Sequence, residues 1–157
     1  MAGWRSGAVK RLEWGDVQGN EIVLRAELSK NKQPYRISMN QELAELIERR
    51  RQDRAIPTPE GVAMSRYIFL RNGKPVGDFR RPWRRACAAA GCAGTIPHDM
   101  RRSAVRNLIR AKVPRSIAKR WTGHESDAVF ERYNIIDNDD MQLAAELLQQ
   151  YHAHARG

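Results

Sequence analysis

The chain has 157 residues, enough for one domain with a hydrophobic core and too few for two domains of ordinary size. It carries a net charge of +10, with 22 arginines against 6 lysines, which favours bidentate contacts to the phosphates of a nucleic acid. It contains no apolar run long enough to span a membrane and no signal peptide, so we expect a cytoplasmic protein. Ribosomal proteins and membrane-surface binders share such a charge, so charge alone leaves these classes open.

The N-terminal part of the chain predicts two helices with a hairpin between them. Apolar side chains at helical spacing predict helices over residues 5–13 and 41–51. Between them, the strand-like segments 21–27 and 35–39 flank a polar turn with a basic tip at 30–34. This arrangement is typical of a β-hairpin.

The remainder of the chain has a mostly helical pattern. Residues 56–61 contain Pro and Gly and predict a loop, and residues 66–70 predict a short strand. Apolar stripes predict helices over residues 78–90, 99–111 and 139–151. Pro114 suits the first turn of a helix over 114–121, which Gly123 ends, and a further helix follows over 126–133. The sequence therefore predicts a mainly α protein with a small antiparallel β-sheet, a mixed α+β fold.

The cysteines and the C-terminal histidines do not suggest a metal site. Cys87 and Cys92 are five residues apart, which is not a metal-ligand spacing. We expect two free thiols without a metal or catalytic role, in a reducing compartment. His152 and His154 have no other ligand type beside them in the sequence. We therefore predict neither a metal nor a small-molecule cofactor.

Several basic residues could together break a phosphodiester bond without a metal. Such chemistry needs a nucleophile, positive charge to stabilise the phosphorane, and an acid for the leaving oxygen. His98 and Arg101 are three residues apart at the start of a predicted helix, so they share a face and can point at one phosphate. Arg5 supplies a second guanidinium in this scheme.

The remaining candidates lie in the hairpin and near the C-terminus. His124 follows Gly123 at a helix junction, from which its side chain could project into a cleft. Tyr133, nine residues later, is the candidate nucleophile. Lys30 at the hairpin tip is the candidate proton donor, and Lys32 is an alternative only two residues away. Each residue alone is typical of a surface charge, a helix cap or a core tyrosine, so the hypothesis depends on their joint order.

That order resembles the tyrosine recombinase (phage integrase) family. Residues 98–104 resemble the family's His-Asp-Leu-Arg-Arg-Thr-Ala run, and residues 122–124 and 132–133 resemble its second His and its nucleophile segments. Residues 3–5 and 29–32 are similar to its first Arg segment and its Lys hairpin. By this match the family's catalytic residues fall on Arg5, Lys30, His98, Arg101, His124 and Tyr133.

The resemblance implies an activity and partners. It implies cleavage and rejoining of double-stranded DNA through a 3′-phosphotyrosine, in a bacterial or phage-encoded protein associated with the nucleoid. It also implies a single catalytic domain over residues 1–157, without the family's N-terminal DNA-binding domain and truncated before Arg5. It implies that Lys30 protonates the leaving oxygen and that His124 donates a hydrogen bond to a phosphate oxygen. Finally, it implies self-association on DNA through the last helix.

One position departs from the family pattern, and two other functions compete with this one. The family often has an acidic residue three positions after its first Arg, where this chain has Ala8. A truncated, non-catalytic DNA-binding protein derived from a recombinase would keep the motifs without cleaving DNA. A basic RNA-binding or ribosome-associated module would give Tyr133 no role, and the sequence contains none of the usual aromatic stacking motifs of RNA-binding modules.

Overall fold

The structure, a computed structural model, describes residues 2–124, 126–132 and 138–155. Its N-terminal part is built on an antiparallel sheet of order β1-β2-β3, formed by Val17–Gln18, Glu21–Leu24 and Tyr35–Ser38. Ile22 pairs with Ile37, and both side chains are buried. Because successive side chains of a strand point to opposite faces, this register places one face of the sheet in the core.

Two helices accompany this sheet, α1 over Ser6–Val9 and α2 over Gln41–Gln52. Helix α2 begins where the sequence predicts, because the Asn40 side chain accepts a hydrogen bond from the Leu43 N–H at 3.0 Å and caps its first turn. Buried residues of the sheet, of these helices and of the segments beside them form one hydrophobic cluster, made of Trp4, Ala8, Leu12, Trp14, Ile22, Leu24, Ile37, Ile47 and Ile68.

The C-terminal part is helical. Its helices are α3 (Arg80–Ala89), α4 (Asp99–Arg110), α5 (Arg115–Thr122), α6 (Asp127–Glu131) and α7 (Asn138–Ala155). Val105, Ala118 and Phe130, from α4, α5 and α6, form a second buried cluster. None of the helices within the described ranges is long and apolar enough to cross a membrane. The predicted fold class, mainly α with small antiparallel sheets, is confirmed.

Three local predictions are wrong. The helix predicted over 5–13 is limited to α1, after which the chain turns at Lys10 and Arg11. The loop predicted at 56–61 belongs to a hairpin formed by β4 (Ala55–Thr58) and β5 (Gly61–Met64). The strand predicted at 66–70 is reduced to β6 (Leu70–Arg71), which pairs with β7 (Lys74–Pro75).

The hairpin of β4 and β5 was missed for a physical reason. Its side chains lie largely in solvent, with Val62 and Met64 exposed to 73% and 64%. Without a buried face, the segment has no apolar–polar alternation for sequence reasoning to detect. Its turn residues therefore predicted a loop, although the backbone ladder pairs Ala55 with Met64 and Thr58 with Gly61.

Candidate active site

A cleft of about 470 Å³ lies where α1, the loop after β2 and the start of α4 meet. It brings together residues that are far apart in the sequence. Four of the predicted site residues line it: Arg5, Lys30, His98 and Arg101. Arg11 and Glu27 also line it.

Arg5 reaches the cleft from the residue just before α1. Its backbone is extended (φ −63°, ψ 134°), and its carbonyl accepts hydrogen bonds from the Ala8 and Val9 N–H groups at 2.9 and 3.1 Å. Its side chain is exposed. Ala8 is buried in the core beside the cleft, so this position offers no carboxylate to orient the guanidinium.

The structure distinguishes the two lysines of the hairpin tip by position. Lys30 is exposed and lines the cleft, whereas Lys32 is not among the lining residues. Lys32 occupies a left-handed backbone conformation (φ 57°) in the turn that follows. Sequence spacing could not separate these lysines, because the turn geometry decides which one faces the cleft.

His98 immediately precedes α4, and its carbonyl accepts a hydrogen bond from the Arg101 N–H at 3.0 Å. Its side chain is exposed at the cleft wall. The predicted proximity of His98 and Arg101 at a helix start is therefore observed, although the two side chains differ in burial.

Arg101 is far more buried than the sequence predicts, with only 3% of its surface exposed. Its Nη1 donates to the carbonyls of Gly3 and Thr122 at 2.7 and 2.5 Å, and its Nη2 to the carbonyl of Gly123 at 3.2 Å. Its Nε donates to His124 Nε2 at 3.1 Å. Because Thr122 and Gly123 end α5, their carbonyls carry the negative end of the helix dipole, which favours a cation here.

Two of these carbonyls belong to positions that require glycine. Gly3 has φ +68°, and a Cβ there would lie 2.8 Å from the Ala104 Cβ. Gly123 also has φ +68°, and a Cβ there would lie 3.1 Å from the Tyr35 ring. The left-handed backbone and the close neighbours together explain why the chain has glycine where these carbonyls turn towards Arg101.

His124 contacts Arg101 on the side that faces the protein interior. Its Nε2 accepts from Arg101, and its Nδ1 is 2.7 Å from the Thr122 hydroxyl, which itself donates to the Ala118 carbonyl at 2.8 Å. Nδ1 therefore carries the proton and donates it to Thr122. Burial, reinforced by the charge of Arg101, lowers the pKa of His124 from 6.5 to about 4, so the imidazole is neutral at pH 7.

This arrangement differs from the predicted position of His124. The ring is 7% exposed, is not among the lining residues of the cleft and makes an edge-to-face contact with Phe130 at 5.6 Å. Gly123 turns the chain so that the ring points under Arg101 and not into the cleft. In the described chain both ring nitrogens bond protein groups, Nε2 to Arg101 and Nδ1 to Thr122.

The predicted nucleophile, Tyr133, lies outside the described residues. The described chain approaches it through α6, whose Phe130 is fully buried against α4 and α5. Its role stays a prediction.

Sequence reasoning missed the residues that fasten the N-terminal segment beside the cleft. The Trp4 indole N–H donates to the Trp121 carbonyl at 2.9 Å, and Gly3 bonds Arg101. Trp4 is buried in the cluster around the sheet, so this segment joins the two parts of the molecule. The only sequence feature that could have indicated this attachment is the glycine and tryptophan directly before Arg5.

Comparison with solved structures finds this fold in several recombinases. The XerA recombinase matches with a TM-score of 0.75 at 20% identity, over 96% of this chain and 54% of that chain. The Tn1549 transposon integrase in complex with circular intermediate DNA matches with a TM-score of 0.68 at 19% identity, over 92% and 53%. The XerH site-specific recombinase bound to a palindromic difH substrate matches with a TM-score of 0.69 at 17% identity, over 94% and 42%.

The chain thus spans about half the length of these solved structures. At such identities the likeness is one of fold, and it confirms the predicted fold of a tyrosine recombinase catalytic domain. No curated protein matches the sequence. A model of the phage integrase family matches residues 1–139, and since this is most of the chain, the chain belongs to the phage integrase family.

Proposed function

We propose that this chain is the catalytic part of a site-specific DNA recombinase, which cleaves and rejoins double-stranded DNA through a 3′-phosphotyrosine at Tyr133. The observation that carries the proposal is the cleft, where Arg5, Lys30, His98 and Arg101 meet from separate segments of the chain. Membership of the phage integrase family and the net charge of +10 support a DNA substrate.

In the first step, the Tyr133 oxygen attacks the scissile phosphorus and the bond to the 5′-oxygen breaks. His98, exposed at the cleft wall, takes the proton from Tyr133, and Lys30 gives a proton to the departing 5′-oxygen. The phosphotyrosine ester keeps the energy of the broken bond, so a 5′-hydroxyl can reverse the step and rejoin a strand without an external energy source.

Two arginines stabilise the charge that develops on the phosphate. Arg5 is exposed and can fold onto a phosphate that enters the cleft. Arg101 is fixed by its four described hydrogen bonds, so its charge is already oriented before DNA binds. His124 contributes by holding Arg101, in place of the direct phosphate contact that the family resemblance implied.

Chain connectivity supports Tyr133 as the nucleophile. Phe130 contacts the His124 ring, and Tyr133 follows it by three residues. Three residues can span at most about 10 Å, so the length of chain between Phe130 and Tyr133 is compatible with this role.

The proposal is tested by trapping the covalent intermediate. A library of nicked duplexes with randomised sequence beside the nick is incubated with the chain, and complexes that survive detergent are sequenced. The nick lets the short 5′-product diffuse away, so a protein–DNA adduct accumulates. We expect adducts with the wild type and none with Tyr133→Phe, which removes only the nucleophilic oxygen.

Tyr151→Phe is the matched control, because it removes a phenol hydroxyl from a residue of α7 that is 67% exposed and keeps the apolar ring in place. It should form adducts at the wild-type level. Adducts from Tyr133→Phe would refute the assignment of the nucleophile. DNA binding without any adduct from the wild type would instead support a non-catalytic DNA-binding protein.

We also propose that α7 docks on a second copy of this chain when both are bound to DNA. The helix has 18 residues and exposes Met141, Leu148 and Tyr151, while an ion pair between Arg110 and Asp140 (3.3 Å) ties its first turn to α4. Deleting the residues after Asn138 should give a soluble monomer that no longer forms adducts. An insoluble deletion variant would instead show that α7 packs on its own core.

A further inference from the structure

We infer that Tyr35 and Asn31 are positioning residues for Lys30, which they hold beside Arg101 through a hydrogen-bonded bracket across the hairpin loop. The inference rests on the proposed function, in which Lys30 is the proton donor. It identifies residues outside the predicted catalytic set and describes the loop around Lys30 as ordered.

The bracket consists of side-chain hydrogen bonds on either side of Lys30. The Ser29 hydroxyl donates to the Asn31 side-chain carbonyl, and the Asn31 amide donates to the Tyr35 hydroxyl. Ser29 is buried, so the bracket begins in the protein interior. Lys30 lies between two bracketed residues, and its backbone is therefore restrained on both sides.

Tyr35 connects this loop to the Arg101 cluster. Its ring lies against the bare Cα of Gly123, where an added Cβ would be 3.1 Å from the ring. The Gly123 carbonyl accepts from Arg101 at 3.2 Å. A small cavity of about 20 Å³ is lined jointly by Lys30, Tyr35, Arg101 and Gly123, which shows that the loop and the cluster adjoin.

The loop needs such support because the sheet does not provide it. Strand β2 ends at Leu24 and β3 begins at Tyr35, so Lys30 lies midway in a connection that the strand ladder does not restrain. A proton donor must lie within hydrogen-bond reach of the leaving oxygen, and small displacements of a catalytic group cost large factors in rate. The bracket limits the positions that Lys30 can occupy before DNA arrives.

The test separates proton donation from folding. A DNA substrate with sulfur in place of the 5′-bridging oxygen has a leaving group that departs without an acid. We expect Tyr35→Phe and Asn31→Ala to slow adduct formation on the oxygen substrate by about 10-fold or more. Both should match the wild type on the sulfur substrate, as should Lys30→Ala.

Tyr67→Phe serves as the control, because it removes a phenol hydroxyl from a residue that does not line the cleft. It should leave both rates unchanged. Amide hydrogen exchange supplies a readout that does not depend on activity: residues 29–34 should exchange faster in Tyr35→Phe and Asn31→Ala, with α4 and α5 unaffected.

The possible failures are distinguishable. If sulfur rescues Lys30→Ala but not Tyr35→Phe, or if exchange in the loop is unchanged, the positioning role is refuted and the proposed function stands. If the wild type forms no adduct with either substrate, the proposed function itself is refuted.

Discussion

Arg25 and Arg101 are each held by several acceptors, and in the described part of the chain these acceptors differ in charge. Arg25 forms ion pairs with the carboxylates of Asp16, Glu13 and Glu27 at 2.7, 3.2 and 3.1 Å. The four described hydrogen bonds of Arg101 go to three carbonyls and one neutral imidazole. Carboxylates orient a guanidinium and also cancel its charge, whereas neutral acceptors orient it and leave the charge in place.

The surroundings of the two arginines fit this difference. Arg25 follows β2, and its carboxylate partner Glu13 also pairs with Arg66 at 2.8 Å. The hydrogen bond from Arg66 is the main reason why the pKa of Glu13 is lowered. This network joins the sheet to the segment around residue 66 and serves the fold. Arg101 instead lines the cleft, where an oriented charge can serve a phosphate.

The comparison predicts that removing Arg101 has the largest effect. Arg101→Ala should lower the rate of adduct formation by about 10²-fold or more, because an oriented positive charge is lost from the site. It should also destabilise the protein by more than about 2 kcal/mol, since buried acceptors lose their donor. Arg101→Lys keeps the charge but not the four bonds, so it should lose less activity than Arg101→Ala. Adduct yields and urea unfolding measure both effects.

Two control variants sharpen this result. Arg102→Ala removes an exposed arginine that pairs with Asp99 at 3.2 Å, and it should change stability by less than about 0.5 kcal/mol. Asp16→Asn breaks the ion pair of Arg25 and should destabilise the fold without changing the rate per folded molecule. Equal losses of activity in the Arg101, Arg102 and Asp16 variants would show that the two arginines are not held for different purposes.

The neutral imidazole predicts a pH dependence of stability. The pKa of His124 is about 4 in the folded protein, against 6.5 as its ordinary value. Between these values the unfolded chain binds more protons at this residue than the folded chain does, so stability falls as the pH decreases from about 6.5 to 4. The loss should approach about 2–3 kcal/mol.

Urea unfolding between pH 7 and pH 4.5 measures this loss. His124→Gln should be less stable at pH 7, because the packing and the bonds of the ring are altered, but its stability should vary less over the same pH range. A wild type whose stability is flat from pH 7 to pH 5 would contradict a neutral, buried His124.

The sequence predicts some regions of this molecule well because their burial is periodic. Helices α4 and α5 were located to within one residue, since α4 carries Ala104, Val105 and Leu108 at helical spacing and Pro114 immediately precedes α5. The hairpin of β2 and β3 was predicted from two strand-like segments that flank a polar turn. The exposed hairpin of β4 and β5 offered no such pattern and was missed.

For the site, the sequence indicated which residues come together but not how far each side chain is buried. The cleft contains Arg5, Lys30, His98 and Arg101 as the motifs suggested. Arg101 donates to the carbonyls of Gly3, Thr122 and Gly123, and residue type alone does not show which backbone carbonyls turn towards a given side chain. Likewise, the side of the chain to which His124 points is set by the left-handed turn at Gly123.

A smaller effect than those at Arg101 and His124 is expected at the glycine that provides one of the neutral acceptors. Gly91 and Gly123 both have a positive φ at a helix end, at +71° and +68°, but only Gly123 has neighbours within 4 Å of an added Cβ. Gly91→Ala should therefore cost about 1 kcal/mol from backbone strain alone. Gly123→Ala should cost about 1 kcal/mol more, because the Tyr35 ring must move by a few tenths of an ångström. It should also slow adduct formation, since the same movement displaces a carbonyl that holds Arg101. Equal destabilisation by the two substitutions in urea, with adduct formation intact in Gly123→Ala, would show that the contact between Tyr35 and Gly123 does not help to position Arg101.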